Sequence, residues 1–283
     1  MIRLRANQLV KRTLLYIAVA IFMIVCLAPF VWVLVGSFHS SSEILTGNVS
    51  LIPDNPTIAN YIPLFASELG IKNFYRYILN SFIVGLGTAL LSSIISSLGA
   101  YGLSRFDFPG KDVLARFMLF IYVFPTVLVA VPVHEMMARM HMVDSLIGII
   151  LIHTALAAPF ATWLLRSFFD SIPKVIEESA SVDGASRLQS MFYIVLPLAA
   201  PGVVTAGVYA LVSSWGEYLF VSILVSSDAN KTLPLGIGMY TADQYIEWGQ
   251  LLGGTVLTFL PLFLLFMPLS KYFIKGFMEG AIK

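Results

Sequence analysis

The chain has 283 residues, 58% of them hydrophobic and only 12% charged. Soluble domains carry about 25% charged residues, so most of this chain is not built to meet water. The net charge of +1 offers no global field for nucleic acid, and four histidines with one cysteine leave little for metal or thiol chemistry.

A helix needs about 20 apolar residues to cross a bilayer. Six stretches qualify in chain order: 13–36, 78–103, 113–133, 143–165, 196–221 and 251–274. The first is too long for a signal-peptide core and lacks a small-residue exit, so it reads as a retained helix. Cys26 lies inside it and reads as a small buried hydrophobe. In the second, Ala89, Ser93 and Ser97 share a spacing of four, as do Ser92, Ser96 and Ala100. Small residues so spaced let helix backbones approach closely. Pro29, Pro125, Pro132, Pro159, Pro201, Pro261 and Pro268 fall within or near the spans, where each removes a backbone bond and invites a kink.

Lysine and arginine set the orientation. Thirteen fall on one side of this six-span layout and four (Lys72, Arg76, Arg139 and Lys231) on the other. Both termini are therefore expected in the cytoplasm, together with residues 172–202 between spans four and five. His134 and His141 flank the outer loop of spans three and four and read as solvated loop residues.

The segment 172–202 carries more pattern than a plain loop needs. At 100° per residue Ile172, Val175, Ile176, Ser179, Ala180 and Val182 share one arc, with Lys174, Glu177, Glu178 and Ser181 opposite. Pro173 suits a first helical turn. Asp183-Gly184 ends the helix, because glycine accepts the left-handed conformation of a helix stop. Ser186 with Gln189 has capping-box spacing, and Pro197 suits the first turn of span five. The pattern is helix, sharp turn, helix, re-entry. A docking element and a surface-lying connector both fit it.

The same residues resemble the EAA motif of permease subunits in binding-protein-dependent ABC importers. Glu178-Ser179-Ala180 stands for Glu-Ala-Ala, Gly184 follows after three residues, and Ile194-Val195-Leu196-Pro197 after nine more. Ser179 is the one departure. The resemblance covers nearly the whole chain and narrows to the carbohydrate branch, MalG-like, through "NPTIANYIPLF" (55–65), "NSFIVGLGTALLSSIISSLGAYGLSRFDFPGK" (80–111), "WGEYLFVSILVSSDANKTLPLGI" (215–237) and "KYFIKGFMEGAIK" (271–283). Where this family usually has Asn, the chain has Gly216.

The resemblance implies an all-α integral membrane protein with six transmembrane helices and the type I (MetI-like) importer permease fold. It implies an N-terminal arm, first span and outer loop over 1–76, a permease core over 77–274 with the coupling loop near 170–197, and a tail over 275–283. The implied setting is a prokaryotic plasma membrane. The implied partners are a second homologous permease, two ATP-binding subunits that use ATP and Mg, an extracytoplasmic sugar-binding protein, and membrane lipid. Glu178, Ser179, Ala180, Asp183 and Gly184 would then couple to the ATPase. Trp215, Glu217 and Tyr218 would line the outer mouth of the sugar path, although a structural hydrogen bond accounts for Glu217 as well. The loop 226–249 carries Tyr240, Tyr245 and Trp248, aromatic residues of the kind enriched where proteins meet, and these would contact the binding protein. A permease for a glycerophosphodiester is the alternative cargo reading, and a secondary transporter the remote one. No G-x-x-x-x-G-K-[ST], H-E-x-x-H or G-x-S-x-G occurs in the chain, so neither ATP binding nor enzyme chemistry is expected of it.

Overall fold

The structure, a computed structural model, describes residues 2–47, 49–53, 55–66, 74–239 and 246–281. Among these the secondary structure is helical throughout: α1 (Ile2–Gly36), α2 (Ser41–Leu45), α3 (Ile62–Phe65), α4 (Phe74–Arg105), α5 (Lys111–Val123), α6 (Ala130–Arg139), α7 (Leu146–Ser171), α8 (Lys174–Val182), α9 (Arg187–Ser190), α10 (Leu196–Leu198), α11 (Ala200–Trp215), α12 (Leu219–Leu224), α13 (Leu233–Gly238) and α14 (Trp248–Ala281). A π turn, Met191–Val195, joins α9 to α10.

Among the described residues, four segments are long and apolar enough to cross a membrane: Lys11–Gly36, Phe74–Arg105, Leu146–Ser171 and Trp248–Pro268. Two bent pairs bring the number to six. Lys111–Val123 meets Thr126–Arg139 at 92°, and Arg187–Leu198 meets Ala200–Trp215 at 79°. The third and fifth spans are therefore broken, and Pro125 and Pro201, two of the prolines at which kinks were expected, lie near the two breaks. In the third, Phe124 is extended because a following proline disfavours helical backbone before it. In the fifth, the break falls at Ala199, so Pro201 and not Pro197 occupies the first turn of the membrane helix. The fourth helix starts later than expected, at Leu146, and continues to Ser171. The sixth runs on to Ala281, through residues expected to form a tail.

The chain divides into two units. The first comprises residues 1–72 and 239–259. Asn60 organises it, donating Nδ2 to the carbonyls of Ser37 at 2.8 Å and His39 at 2.7 Å. Gly249 passes directly beneath the Asn60 amide, where a Cβ has no room. Ser40 and Glu43 close a capping box on α2. Trp248, half-buried, starts α14, while Tyr240 and Tyr245 lie outside the described residues. Cys26 is exposed on α1, not buried as expected. Its neighbours Phe22 and Ile24 are 69% and 67% exposed. Hydrocarbon solvates such a surface as well as a protein core does, so apolar character inside a span does not imply burial in the chain.

The second unit comprises residues 73–238 and 260–283. Its centre is α4 packed on α7 and α11. Both small-residue stripes are used. Ser92, Ser96 and Ala100 are fully buried, and Ser96 donates to the Ala158 carbonyl of α7 at 3.2 Å. On the other stripe Ser93 lies against Gly207 of α11, where a Cβ would come within 2.9 Å of its hydroxyl. His134 sits on α6 and not in a loop; His141 lies exposed in the following turn with φ 55°.

Asp144, at φ 56°, clamps that turn to the segment after α12. Its carboxylate accepts from the Ser227 amide at 3.1 Å, the Ser227 hydroxyl at 2.9 Å and the Ser226 amide at 3.3 Å. Burial pushes its pKa up, but these bonds outweigh burial and hold it below the ordinary carboxylate value. Asp144→Ala should cost about 1–3 kcal/mol, as hydrogen bonds to a charged group are lost, while Asp144→Asn keeps an acceptor and a tolerance for positive φ. Because the folded-state pKa is depressed, the contribution is full above the unfolded pKa and disappears as pH falls through the folded one. Thermal unfolding in detergent against pH should show this acid loss in the wild type and a flatter curve in the alanine variant.

Candidate functional site

The first site is the α8 turn. After α7, Ile172 and Pro173 are extended and redirect the chain. Pro173 precedes the first helical residue, one position earlier than expected. Glu177 then points inward: it is 8% exposed and forms an ion pair with Arg105 at the end of α4. Tyr101 donates to its other oxygen at 2.9 Å. The guanidinium also donates to the Phe169 carbonyl at 2.9 Å, the Ile172 carbonyl at 3.1 Å and the Ser104 hydroxyl at 2.9 Å. One planar fork thus gathers the ends of α4 and α7 and the first turn of α8. The two acceptor carbonyls lie at the negative end of the α7 dipole, where a cation is favoured.

Of the two α8 arcs, it is the polar one that supplies Glu177, the residue held against the chain's own core. Val175, Ile176 and Val182 of the apolar arc are 60%, 38% and 88% exposed. Amphipathicity separates two faces but does not say which one meets the same chain. Glu178, Ser179, Asp183 and Gly184 are exposed and Ala180 is half-buried. The helix ends in a Schellman motif: Ala185 N–H bonds the Ala180 carbonyl at 2.9 Å and Gly184 N–H the Ser181 carbonyl at 3.1 Å, with Gly184 at φ 91°. The Ser186–Gln189 capping box then opens α9.

The second site lies between α7 and α11. Trp215 does not line it; the indole is 3% exposed and meets the Phe82 ring edge-on at 4.9 Å. Tyr218 is 50% exposed. Glu217 caps α12, accepting from the Phe220 amide at 2.9 Å and the Val221 amide at 3.2 Å. It also accepts from His153 Nε2 at 3.1 Å. A carboxylate offers no hydrogen, so the imidazole proton faces Glu217. His153 Nδ1 then accepts from the Ser214 hydroxyl at 2.7 Å, and the Thr88 hydroxyl lies 3.3 Å from the same Ser214 oxygen. A cavity of about 200 Å³ opens beside the pair, with Tyr209 and Ser213 on its wall. Sequence reasoning missed His153 and Tyr209. A lone histidine in an apolar run gives no signal when its partners are 61 and 64 residues away.

Residues 92–278 match the family described as "Binding-protein-dependent transport system inner membrane component", about two thirds of the chain. The chain belongs to this family. The permease is thus a transport component of the membrane and not an enzyme. It is 32% identical over 272 residues to the sulfoquinovosyl glycerol transport system permease protein SmoH of Agrobacterium fabrum, covering 96% of this chain and 94% of that one. It is 34% identical over 279 residues to the inner membrane ABC transporter permease protein YcjP of Escherichia coli, covering 96% and 98%. The trehalose/maltose transport system permease protein MalG of Thermococcus litoralis is 28% identical over 278 residues, covering 98% and 99%. The fold of the permease matches a solved bacterial ABC transporter involved in alginate import, with a TM-score of 0.76 over 93% of this chain and 96% of that one, at 22% identity.

Proposed function

We propose that this permease forms one half of the membrane path of a sugar importer and that α8 is the element its ATPase subunits grip. The observation that carries the coupling role is the exposed apolar face of α8, backed by a buried ion pair. An apolar surface facing the aqueous end of a bundle is a liability unless a partner covers it. Relatives named for trehalose/maltose and for sulfoquinovosyl glycerol support a sugar or glycoside as cargo. In this reading a second, homologous permease completes the path, two cytoplasmic subunits hold ATP and Mg, and an extracytoplasmic binding protein delivers the sugar. In the same reading Tyr240, Tyr245 and Trp248 contact that protein.

The lysine and arginine distribution, 13 against 4, supports an orientation with residues 1–12, α8 and residues 275–283 on the cytoplasmic side. Reporters fused near Phe106, Gln189 and Lys283 should read cytoplasmic, and those near Asn60, Met140 and Asp243 outside. Affinity purification in mild detergent should retain a second permease and an ATP-binding subunit. A Gln189 fusion that reads outside removes α8 from reach of any ATPase and ends the proposal.

A further inference from the structure

We infer that the cavity between α7 and α11 is a sugar subsite, so that this permease touches its cargo and does more than wall the path. The inference rests on the sugar-import reading above. Its first support is the Glu217–His153 pair. The two side chains are 17% and 2% exposed. Ionisable groups within a membrane bundle are costly, and where they persist they mark pathways.

Capping α12 does not require such a pair. A neutral serine, threonine or asparagine satisfies helix N-terminal amides, and none of them needs a buried imidazole beside it. Glu217 Oε1 meets the Phe220 amide at 2.9 Å, while Oε2 takes the His153 contact. A carboxylate oxygen accepts about two donors. Among the described residues Oε1 therefore keeps room for a hydroxyl from the cavity.

The rest of the wall supplies what a sugar ring needs. Tyr209, Ser213 and Glu217 recur at intervals of four, as a stripe along α11 and its exit. The Tyr209 hydroxyl lies near those of Ser213 and Tyr122. Behind it, Tyr209 and Tyr122 lie 4.5 and 4.7 Å from the Phe160 ring centre. An aromatic face takes the C–H side of a pyranose, and the carboxylate and hydroxyls take its O–H groups. The cavity, about 200 Å³, is smaller than the roughly 300–1,000 Å³ of sites for drug-sized ligands. That suits one sugar ring at a time. Thr126, at the bend of the third span, lines the same cavity, so a change in that bend would change the cavity's shape.

The test uses the whole importer in proteoliposomes, with its partner permease, ATPases and binding protein. Uptake of radiolabelled trehalose, maltose, N,N′-diacetylchitobiose and sulfoquinovosyl glycerol is measured beside ATP hydrolysis. Glu217→Gln keeps an acceptor for the α12 amides, and Tyr209→Phe keeps the ring. Sugar moved per ATP hydrolysed should fall about tenfold in Glu217→Gln, equivalent to about 1.4 kcal/mol, and roughly threefold, about 0.6 kcal/mol, in Tyr209→Phe. Assembly and binding-protein stimulation of hydrolysis should persist. Sugar per ATP within twofold of wild type in both variants overturns the subsite. So does a parallel fall of uptake, hydrolysis and assembled complex, which marks a purely structural network. If the unmutated importer takes up none of the four sugars, the sugar-import reading fails first, and the subsite fails with it.

Discussion

Arg105→Ala should destabilise the permease by about 3–5 kcal/mol, the usual cost of leaving one member of a buried ion pair alone, and should nearly abolish transport. The reason is geometric as much as electrostatic. Four of the five guanidinium donors are engaged by Glu177, Ser104, Phe169 and Ile172. Removing them leaves Glu177 uncompensated and frees the last turn of α7 from the first turn of α8. Lysine keeps the charge but not the planar fork, so Arg105→Lys should recover little. Glu177→Gln retains the Tyr101 contact and should be milder. The informative variant is the double replacement of Arg105 and Glu177 by methionine. Buried pairs exchanged for apolar residues of similar volume are often neutral in stability. That variant should therefore unfold near the wild-type temperature in detergent and still transport poorly, because α8 is no longer aimed. If it transports at the wild-type rate, the pair has no part in positioning α8.

Gly184→Val should lower sugar uptake at least tenfold without preventing membrane insertion. Gly184 has φ 91°, and a Cβ built there meets nothing within 4 Å. The cost is therefore backbone strain, about 1–2 kcal/mol for an ordinary left-handed residue and more for a β-branched one. Asparagine tolerates that conformation and should retain most uptake. The site is exposed, so an added aspartate would not be a buried charge, and its effect would come from meeting a docked partner. Transport at wild-type rates by both the valine and aspartate variants would show that nothing grips this turn.

The spans and the α8 turn were legible because their signals are local. The apolar runs announce themselves, and Asp183-Gly184, Ser186 and Gln189 specify a stop and a restart within seven residues. The small-residue stripes of α4 were legible for the same reason. Three features were not. The breaks at Phe124 and Ala199 lie near Pro125 and Pro201, where kinks were expected, but Pro159 leaves α7 unbroken, so proline does not by itself show which span breaks. The inward turn of Glu177 depends on Arg105, 72 residues earlier. The His153–Glu217 pair joins two elements that sequence spacing does not connect. Long-range polar pairing is what a linear pattern hides, and in this chain it builds both candidate sites.

The π turn between α9 and α10 carries a further consequence. A π turn accommodates one residue more than an α-helical turn does, and such insertions are frequent at functional sites. Each helical residue advances the chain by about 100° and 1.5 Å. Deleting one residue from Met191–Val195 would let this turn close as an ordinary α-helical one with little change of direction, whereas adding or removing a residue elsewhere in α9 or α10 would rotate α8 by about 100° relative to α11. The face that α8 offers outward is thus fixed by a count as well as by composition. Between Gly184 and the membrane helix, substitutions alter how well the segment packs, whereas a change of length alters the direction in which it points.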